Sequence, residues 1–327
     1  MSITDTVIEQ ALLAAVRAPS VHNTQPWRFV VAAPFVEVHL DRERVLPVVD
    51  PAAREARISC GAAVFNLWLA VRAAGRGAVV DLLPDPDRPD LLAVLRMAGV
   101  RPATPEESTL AHTVARRATN RRPFTDRPVP PPHRAALVRA AEAEHAHLIL
   151  LDTPKRLDTL ATLLRRADHL QVEDPAFQRE LRAWTEPDAA GGDRTEDGVP
   201  RSAGGPRPSV GSLLVPRQFH EDATAERPFE QDPFVVVLTT HGDTARDHLH
   251  AGLAMQRVLL SATVLGLSAS FLSQPVEVPH TRAALRALLD VPGQPQTVLR
   301  IGYGHPVATT PRRPVAAVTT MRAEVPS

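Results

Sequence analysis

Residues 18–29 read Ala-Pro-Ser-Val-His-Asn-Thr-Gln-Pro-Trp-Arg-Phe, a stretch that carries neutral polar side chains between two prolines. Pro19 and Pro26 hold the backbone extended, so the polar groups between them are presented in a fixed shape. Amide and hydroxyl groups of this kind suit the polar edge of an uncharged aromatic ligand, where hydrogen bonds fix the orientation. A capped turn anchored by Trp27 is the alternative, but it does not explain so many polar groups.

Helical and strand patterns flank this stretch on both sides. Residues 4–17 carry apolar side chains at helical spacing, and Pro19 ends that helix. The patterns that follow indicate, in order, strands at 27–32 and 35–40, a helical segment at 51–57 that leads into a helix at 58–74, and a strand at 78–83.

The second half repeats this order of helices and strands in outline. Its predicted elements are a helix at 133–143, a strand at 146–151, a helix at 159–171, a strand at 234–239, a helix at 244–265 and a strand at 297–302. Two apolar helices rich in small residues, 62–75 and 251–266, both end in glycine and precede a strand. We interpret the chain as an α+β protein of two related halves packed face to face, although any two buried helices share Ala and Leu.

Residues 185–232 differ in composition from the rest of the chain. Glycine and proline are frequent there, and almost no periodic apolar pattern appears before Leu213. A loop of this length in a compact chain is usually a functional cover or a disordered segment. A helical stretch at 177–184 comes directly before it, with apolar side chains on one face. We predict a lid at 185–232, with disorder as the alternative.

A second informative motif occupies residues 116–127 and reads Arg-Arg-Ala-Thr-Asn-Arg-Arg-Pro-Phe-Thr-Asp-Arg. Its forked guanidinium groups, interleaved with Thr and Asn, match a phosphate dianion. A solvated, charged helix end is the alternative, and charge alone favours it. The polar stretch at 18–29 favours the phosphate-binding interpretation. One segment that binds a phosphate and another that binds the polar edge of an aromatic ring together suit a mononucleotide-like cofactor.

Composition argues against several classes of function. The chain has 327 residues, with 37 Lys and Arg against 37 Asp and Glu, so no net charge steers it onto nucleic acid. The single cysteine, Cys60, excludes an internal disulfide and a zinc knuckle and suits a reducing compartment. Neither a signal peptide nor an apolar stretch long enough for a membrane span is visible, so we expect a cytoplasmic protein without a membrane segment.

Common catalytic and metal motifs are incomplete. Residues 302–307 lack the third glycine of a dinucleotide fingerprint, and residues 266–270 lack the closing glycine of a nucleophile elbow. His145 and His147 have no further ligand near them in sequence, so no metal site is predicted. These patterns identify no catalytic residue.

The two informative motifs resemble those of the FMN-dependent nitroreductase superfamily. Residues 19–27 are similar to its Pro-Ser-x-x-Asn-x-Gln-Pro-Trp motif, and residues 117–121 are similar to its Arg-x-Ser-x-Arg/Lys phosphate motif. Their order is the reverse of the usual one, which resembles the Acg-type branch, where two nitroreductase-like halves are fused and one chain imitates a dimer. The resemblance implies a nitroreductase-like fold with two halves, 1–110 and 111–327, each a mainly antiparallel sheet flanked by helices.

The resemblance also implies one FMN per chain, since only the second half carries a phosphate motif. The first half would supply the residues at the flavin ring and the second half those at the phosphate. The implied ring-loop residues are Pro19, Ser20, Val21, Asn23 and Gln25, and the implied phosphate-motif residues are Arg117, Thr119, Asn120 and Arg121. Leu272 and Ser273 stand where the family points a backbone amide at flavin N5, and Arg312 and Arg313 stand where it often supplies a late basic phosphate ligand.

The implied activity is ping-pong electron transfer from NAD(P)H, through the flavin, to a small-molecule acceptor such as a nitroaromatic or a quinone. That chemistry demands no catalytic residue, and His22 is only a candidate proton donor. The alternative is an FMN storage or sequestering protein whose lid at 185–232 blocks the nicotinamide, and a third possibility is a flavin-free degenerate member. The implied assembly is a monomer that acts as a pseudo-dimer, with further dimerisation open.

Overall fold

Two mainly antiparallel β-sheets, each flanked by helices, form the framework of the molecule. The computed structural model describes residues 3–185, 196–209, 211–219 and 226–322. The predicted α+β class with two such sheets is confirmed. Among the described residues, no helix combines the length and the apolar character that a bilayer crossing requires.

The first part of the chain builds one sheet and the helices beside it. Its elements are α1 (Ile3–Ala15), β1 (Trp27–Ala32), β2 (Phe35–Leu40), α2 (Arg54–Ala73), β3 (Arg76–Leu82), β4 (Leu91–Val100) and α3 (Pro105–Thr113). The predicted helices and strands of this part are confirmed to within a few residues, whereas β4 and α3 are not anticipated by the sequence patterns. Asp50 Oδ2 accepts the backbone N–H of Ala56 at 2.8 Å, which stabilises the start of α2.

The second part builds the other sheet and most of the remaining helices. Its elements are α4 (Pro131–Glu142), β5 (His147–Leu151), α5 (Pro154–Glu173), α6 (Pro175–Ala183), β6 (Arg207–Pro208), β7 (Glu226–Arg227), β8 (Phe234–Thr240), α7 (Ala245–Val264), β9 (Ser268–Phe271), α8 (Gln274–Glu277), α9 (Pro279–Leu289), β10 (Gln294–Gly302), α10 (Val315–Val318) and β11 (Thr319–Met321). The predicted helix at 159–171 begins earlier, because Thr153 caps it and Pro154 fits its first turn.

The C-terminal strand returns to the first sheet. That sheet has the order β11-β1-β2-β4-β3, and β11 pairs in parallel with β1, placing Thr319 opposite Phe29. The second sheet has the order β5-β8-β10-β9 and is antiparallel throughout. The predicted second half, 111–327, thus contributes one strand to the sheet of the first half, and the division at residue 110 stays a prediction.

Helices α2 and α7 cross at two glycines and share one core. A Cβ atom on Gly252 would collide with the carbonyl oxygen of Ile58 and would lie 2.8 Å from the Cα of Gly61. Only glycine allows the two backbones to approach this closely. Apolar side chains of both helices belong to a core that also includes Trp27 from the first sheet and Leu299 from the second. The two parts of the chain are therefore packed as one unit.

The described parts of the predicted lid pack on the rest of the protein. We call residues 196–209 and 211–219 the cover segment. It contains a 3₁₀ turn, Arg201–Ala203, and β6, which pairs with β7. Val199 and Leu214 within it are buried. The remainder of the predicted lid before residue 226, at 186–195, 210 and 220–225, lies outside the described residues.

Candidate functional site

A cavity lies where the loop after α1, the first turns of α2 and the turn between β9 and α8 come together. The cover segment contributes Arg217 and Phe219 to its wall. Of the site residues predicted from the sequence, the cavity is lined by Pro19, Ser20, Val21, Thr119, Arg121 and Ser273. The two motifs, which are about 100 residues apart in the chain, are thus neighbours in space.

Hydrogen bonds and burial fix the shape of the loop after α1. Ser20 Oγ accepts the backbone N–H of Gln25 at 2.9 Å. His22, Asn23 and Gln25 adopt positive φ angles of 47°, 58° and 53°. Such left-handed conformations are unfavourable for residues with a side chain and persist only where the surroundings hold them. The resulting turn presents residues 19–22 to the cavity.

Asn23 and Gln25 face other segments and do not line the cavity. Asn23 Nδ2 donates to the carbonyl oxygen of Gly198 in the cover segment at 3.0 Å. Gln25 Nε2 donates to the carbonyl oxygen of Glu196 at 2.8 Å, and its Oε1 accepts the backbone N–H of Arg313 at 2.9 Å. Asn23 Nδ2 also donates to the carbonyl oxygen of Pro311 at 3.0 Å, so both amides connect the loop to the cover segment and to the C-terminal segment.

Three predicted phosphate residues, Arg117, Arg121 and Arg312, form a cluster of positive charge. Arg117 and Arg312 both donate to the carbonyl oxygen of Arg17, each at 3.4 Å. Burial, reinforced by the charges of neighbouring arginines, lowers the pKa of Arg117 and Arg121 to about 10 and the pKa of Arg312 to about 9. Among the described residues, no carboxylate lies close enough to raise the pKa of these three arginines.

Several N–H groups of the arginine cluster have no hydrogen-bond partner among the described residues. Nε and Nη1 of Arg117 and Nε of Arg312 are buried and have no hydrogen-bond partner among the described residues. Unpaired, buried donors cost free energy, and a phosphate dianion would satisfy both their hydrogen bonds and their charge. Arg121 brings the cluster to the cavity wall, where its Nη1 donates to the carbonyl oxygen of Ala203 in the cover segment at 2.9 Å. The cluster therefore fits a phosphate-bearing ligand.

Thr119 and Asn120 attach the phosphate motif to β9. Thr119 lines the cavity and forms a parallel bridge with Ala269. The backbone N–H of Asn120 donates to the carbonyl oxygen of Ala269 at 2.9 Å, and its Nδ2 donates to the carbonyl oxygen of His305 at 2.9 Å. The Asn120 side chain is thus used to hold the motif in place, and it does not line the cavity.

The remaining predicted residues divide between the site and its surroundings. Leu272 is fully buried in the core and donates its N–H to the carbonyl oxygen of Val298 at 3.0 Å, whereas Ser273 lines the cavity. Arg313 lies outside the arginine cluster, and its Nη1 is 3.9 Å from Oδ2 of Asp41. Of the two late arginines, the structure places only Arg312 in the cluster.

Arg217, which the sequence patterns do not single out, reaches from the cover segment into the cavity wall. Both carboxylate oxygens of Glu277 accept hydrogen bonds from its guanidinium, and Gln171 Oε1 accepts another at 2.8 Å. Although burial opposes it, the charge of Arg217 holds the pKa of Glu277 below its ordinary value. No local pattern could reveal this pair, because its members are 60 residues apart.

Arg217 also fixes the tautomer of His22. Its Nη1 lies 2.9 Å from His22 Nε2. A guanidinium can only donate, so Nε2 accepts and the proton of the neutral ring sits on Nδ1. Burial, and then the charge of Arg217, lower the pKa of His22 to about 3. His22 is therefore neutral at physiological pH, which argues against an imidazolium proton donor but leaves an Nδ1–H group without a partner among the described residues.

Glu55, in the first turn of α2, is a second site residue that the sequence patterns miss. It lines the cavity, and its Oε1 accepts a hydrogen bond from Arg54 Nη2 at 2.7 Å. Burial raises the pKa of Glu55 to about 8, against the opposing charge of Arg54. The carboxyl group is thus largely protonated at neutral pH. The residues at 51–57 indicate a helix, and residues 50–55 resemble the Acg-type branch, but neither signal shows that the acid is buried.

Comparison with known proteins finds related sequences along most of the chain. The family model described as "Nitroreductase family" matches residues 1–50 and 113–304. The protein named "Putative NAD(P)H nitroreductase acg" from Mycobacterium tuberculosis H37Rv is 31% identical over 329 residues, which cover 98% of this chain and 98% of that protein. Another protein of that organism, "Putative NAD(P)H nitroreductase Rv3131", is 33% identical over 324 residues, covering 95% and 90%. A solved nitroreductase with bound FMN from Desulfitobacterium hafniense covers 63% of this chain and 94% of its own, with 12% identity and a TM-score of 0.40.

Proposed function

The chain belongs to the nitroreductase family, and on that premise we propose that it binds one FMN in the cavity and acts as an NAD(P)H-dependent oxidoreductase. One observation carries the proposal: Ser20 and Val21 of the polar loop line the same cavity as Thr119 and Arg121 of the phosphate motif. Motifs on opposite sides of the molecule would have left the proposal without a basis. The name of the acg relative supports the nicotinamide-dependent reaction.

The arginine cluster would hold the phosphate of FMN. Arg117, Arg121 and Arg312 offer charge-assisted donors to it, two of them with buried N–H groups that lack a partner in the described structure. The loop at residues 19–22 would lie against the flavin ring, and the Nδ1–H of neutral His22 is available to an acceptor atom there. Asn23, Gln25 and Asn120 would act indirectly, by holding these segments in position.

Bound FMN would supply the redox chemistry, by taking a hydride from NAD(P)H and passing electrons to a second substrate in alternation. The protein would orient the ring and place hydrogen-bond donors where negative charge gathers on reduction. The proposed acceptors are nitroaromatic or quinone-like compounds. Initial-rate measurements with both substrates varied should then give the parallel reciprocal plots of a ping-pong reaction.

Titration with FMN, followed by quenching of flavin fluorescence, tests the cofactor site. We expect saturation at one FMN per chain, and Arg117→Met should weaken binding at least about tenfold because it removes charge-assisted donors. Arg116→Met is the matched control, since Arg116 is adjacent in sequence but exposed. Absence of binding, or an equal loss in both variants, would refute the phosphate assignment.

A specific observation favours a second candidate function, the storage of FMN. The cover segment inserts Arg217 into the cavity wall and pairs it with buried Glu277. A cover that stays closed would keep a nicotinamide from reaching the ring. Addition of NADPH to the FMN-loaded protein without oxygen distinguishes the two functions. Rapid bleaching of the flavin absorbance supports the oxidoreductase, and an unchanged spectrum over many minutes supports storage.

Domain organisation and location complete the proposal. We propose that the halves 1–110 and 111–327 act together as a pseudo-dimer in the cytoplasm. The single cysteine, Cys60, is buried and unpaired, which suits a reducing compartment. Sedimentation of the FMN-loaded protein would show whether chains pair further.

A further inference from the structure

Glu55 places a carboxyl group with one unpaired oxygen in the wall of the cavity. The residue is 6% exposed, and Arg54 Nη2 occupies its Oε1 at 2.7 Å. Its Oε2 is buried and has no hydrogen-bond partner in the part of the chain that the structure describes. Buried polar atoms are normally satisfied, so an unpaired one beside a cavity points to a partner on the ligand.

Burial favours the neutral form of Glu55 over the opposing charge of Arg54. Arg54 is the nearest cation, but it also donates to two backbone carbonyl groups. Asp50 and Glu277 add negative charge, and Arg217 is already paired with Glu277. Burial is the largest cause that raises the pKa of Glu55 to about 8, and the charges of Glu277 and Asp50 add to it, while Arg54 and Arg217 oppose it. The unpaired oxygen therefore carries a proton that it can donate.

Among the described residues that line the cavity, Glu55 is the one acidic side chain. His22, the one histidine there, is neutral with a pKa of about 3. The cover segment contributes Arg217 and Phe219 to the wall of the same cavity. A reaction that consumes a proton inside this cavity would therefore draw it from Glu55.

We propose that Glu55 is the internal acid of the site and gives its Oε2 proton to the acceptor during reduction. The inference rests on the proposed oxidoreductase function. A quinone takes up two electrons and two protons: a hydride equivalent that originates from NAD(P)H brings both electrons and one proton. The Glu55 Oε2–H bond breaks to supply the second proton to a quinone oxygen. The carboxylate that remains is stabilised by Arg54 and regains a proton from solvent.

Glu55→Gln tests the proposal, because it keeps the size of the side chain but cannot release a proton. Holoprotein reduced with dithionite is mixed with benzoquinone or with ferricyanide, which accepts electrons without protons. The quinone rate should fall on the order of 100-fold, and the ferricyanide rate should stay unchanged. Equal losses with both acceptors, or no loss with either, would overturn the proposal. The wild-type quinone rate should also decline as pH rises through about 8, and the rate of the variant should not.

A spectroscopic measurement separates this proposal from the proposed function. The infrared C=O band of a protonated carboxylic acid should be present in the wild-type protein at neutral pH and should be lost in Glu55→Gln. Glu37→Gln is the control, since hydrogen bonds to His39 and Arg88 outweigh its partial burial and lower the pKa of Glu37. A protein that does not bind FMN refutes the proposed function. A protein that binds FMN but lacks the Glu55 band refutes the internal acid alone.

Discussion

Single residues at the site carry charge at a cost to the stability of the ligand-free protein. Burial and the charges of Arg117, Arg17 and Arg121 lower the pKa of Arg312 to about 9, so its charged form is less favourable in the folded than in the unfolded chain. This penalty is present wherever the pH is below the folded-state pKa. Arg312→Met should therefore raise the free energy of unfolding of FMN-free protein by about 1–2 kcal/mol, measured with urea.

The same substitution should have the opposite effect once FMN is present. A ligand stabilises the state that binds it, so saturating FMN should stabilise the wild-type protein more than Arg312→Met. Arg116→Met is the matched control, because Arg116 is exposed and lies next to Arg117 in the sequence. A loss of stability in FMN-free Arg312→Met, or a gain in the control, would contradict the account of unbalanced charge.

Glu55 should make stability depend on pH in a defined direction. Its pKa rises from 4.5 in the unfolded chain to about 8 in the folded protein, so its contribution is fully present below 4.5 and is lost as pH rises through 8. The groups that face it are Arg54, Asp50, Glu277 and Arg217. Because glutamine does not titrate, Glu55→Gln should gain stability relative to the wild type as pH rises from about 5 to about 9 in urea unfolding. If the free energy of unfolding changed with pH in the same way for both proteins, the raised pKa of Glu55 would be contradicted.

Residues of the site could be predicted from the sequence where they belong to one short motif. Ser20, Val21 and Arg121 belong to short motifs, and all three line the cavity. The Arg217–Glu277 pair could not be predicted, because its partners are joined only by the folded chain. A motif also does not tell which way a side chain points. The amide of Asn120 donates to Ser268 Oγ of β9 at 3.2 Å, although Thr119 and Arg121 beside it line the cavity.

At the scale of elements, the crossing of α2 and α7 positions the site, since α2 supplies Glu55 and α7 supplies Met255 to the cavity. Gly252→Ala would push a Cβ into the carbonyl oxygen of Ile58 and force the helices apart. Alanine normally favours a helix over glycine, yet this substitution should destabilise the protein by about 1–3 kcal/mol.

Thermal or urea unfolding measures the effect of Gly252→Ala. Gly99→Ala is the matched control, because a Cβ on Gly99 meets no atom within 4 Å. Its stability should stay close to that of the wild type. A stabilised Gly252→Ala protein would mean that the two helices do not depend on this close contact.

The elements that the sequence predicts are those with a local signal. Helix α7 shows apolar periodicity, a Thr244 cap and a terminal Gly266, and the structure has it at Ala245–Val264. Strand β11 has only three residues, and its position beside β1 depends on pairing across nearly the whole chain. Strand β4 follows a proline-rich stretch and pairs with both β2 and β3, which no local pattern displays.

At the scale of the whole molecule, segments that are distant in sequence meet at the loop after α1. Asn23 holds the cover segment through Gly198, and Gln25 holds the backbone of Arg313 ahead of β11. Arg121, from the middle of the chain, donates to Ala203 of the cover segment. A Cβ on Gly205, whose φ is +81°, would lie 2.7 Å from the carbonyl oxygen of Arg121, so the cover segment needs glycine at this contact. Opening of the cover segment would therefore disturb both the loop that would lie at the flavin ring and the arginine cluster that would bind the phosphate.

The Arg217–Glu277 pair should control how fast that cover opens. Arg217→Met alone would leave a buried, unpaired carboxylate at Glu277 and destabilise the whole protein by about 3–5 kcal/mol. The double variant Arg217→Met/Glu277→Gln removes the anchor without leaving that charge. We expect it to release FMN at least about tenfold faster and to be cleaved more readily by trypsin after Arg201. Arg166→Met, an exposed arginine on α5, is the control. Unchanged FMN release from a folded double variant would show that other contacts, such as those of Asn23 and Arg121, keep the cover closed.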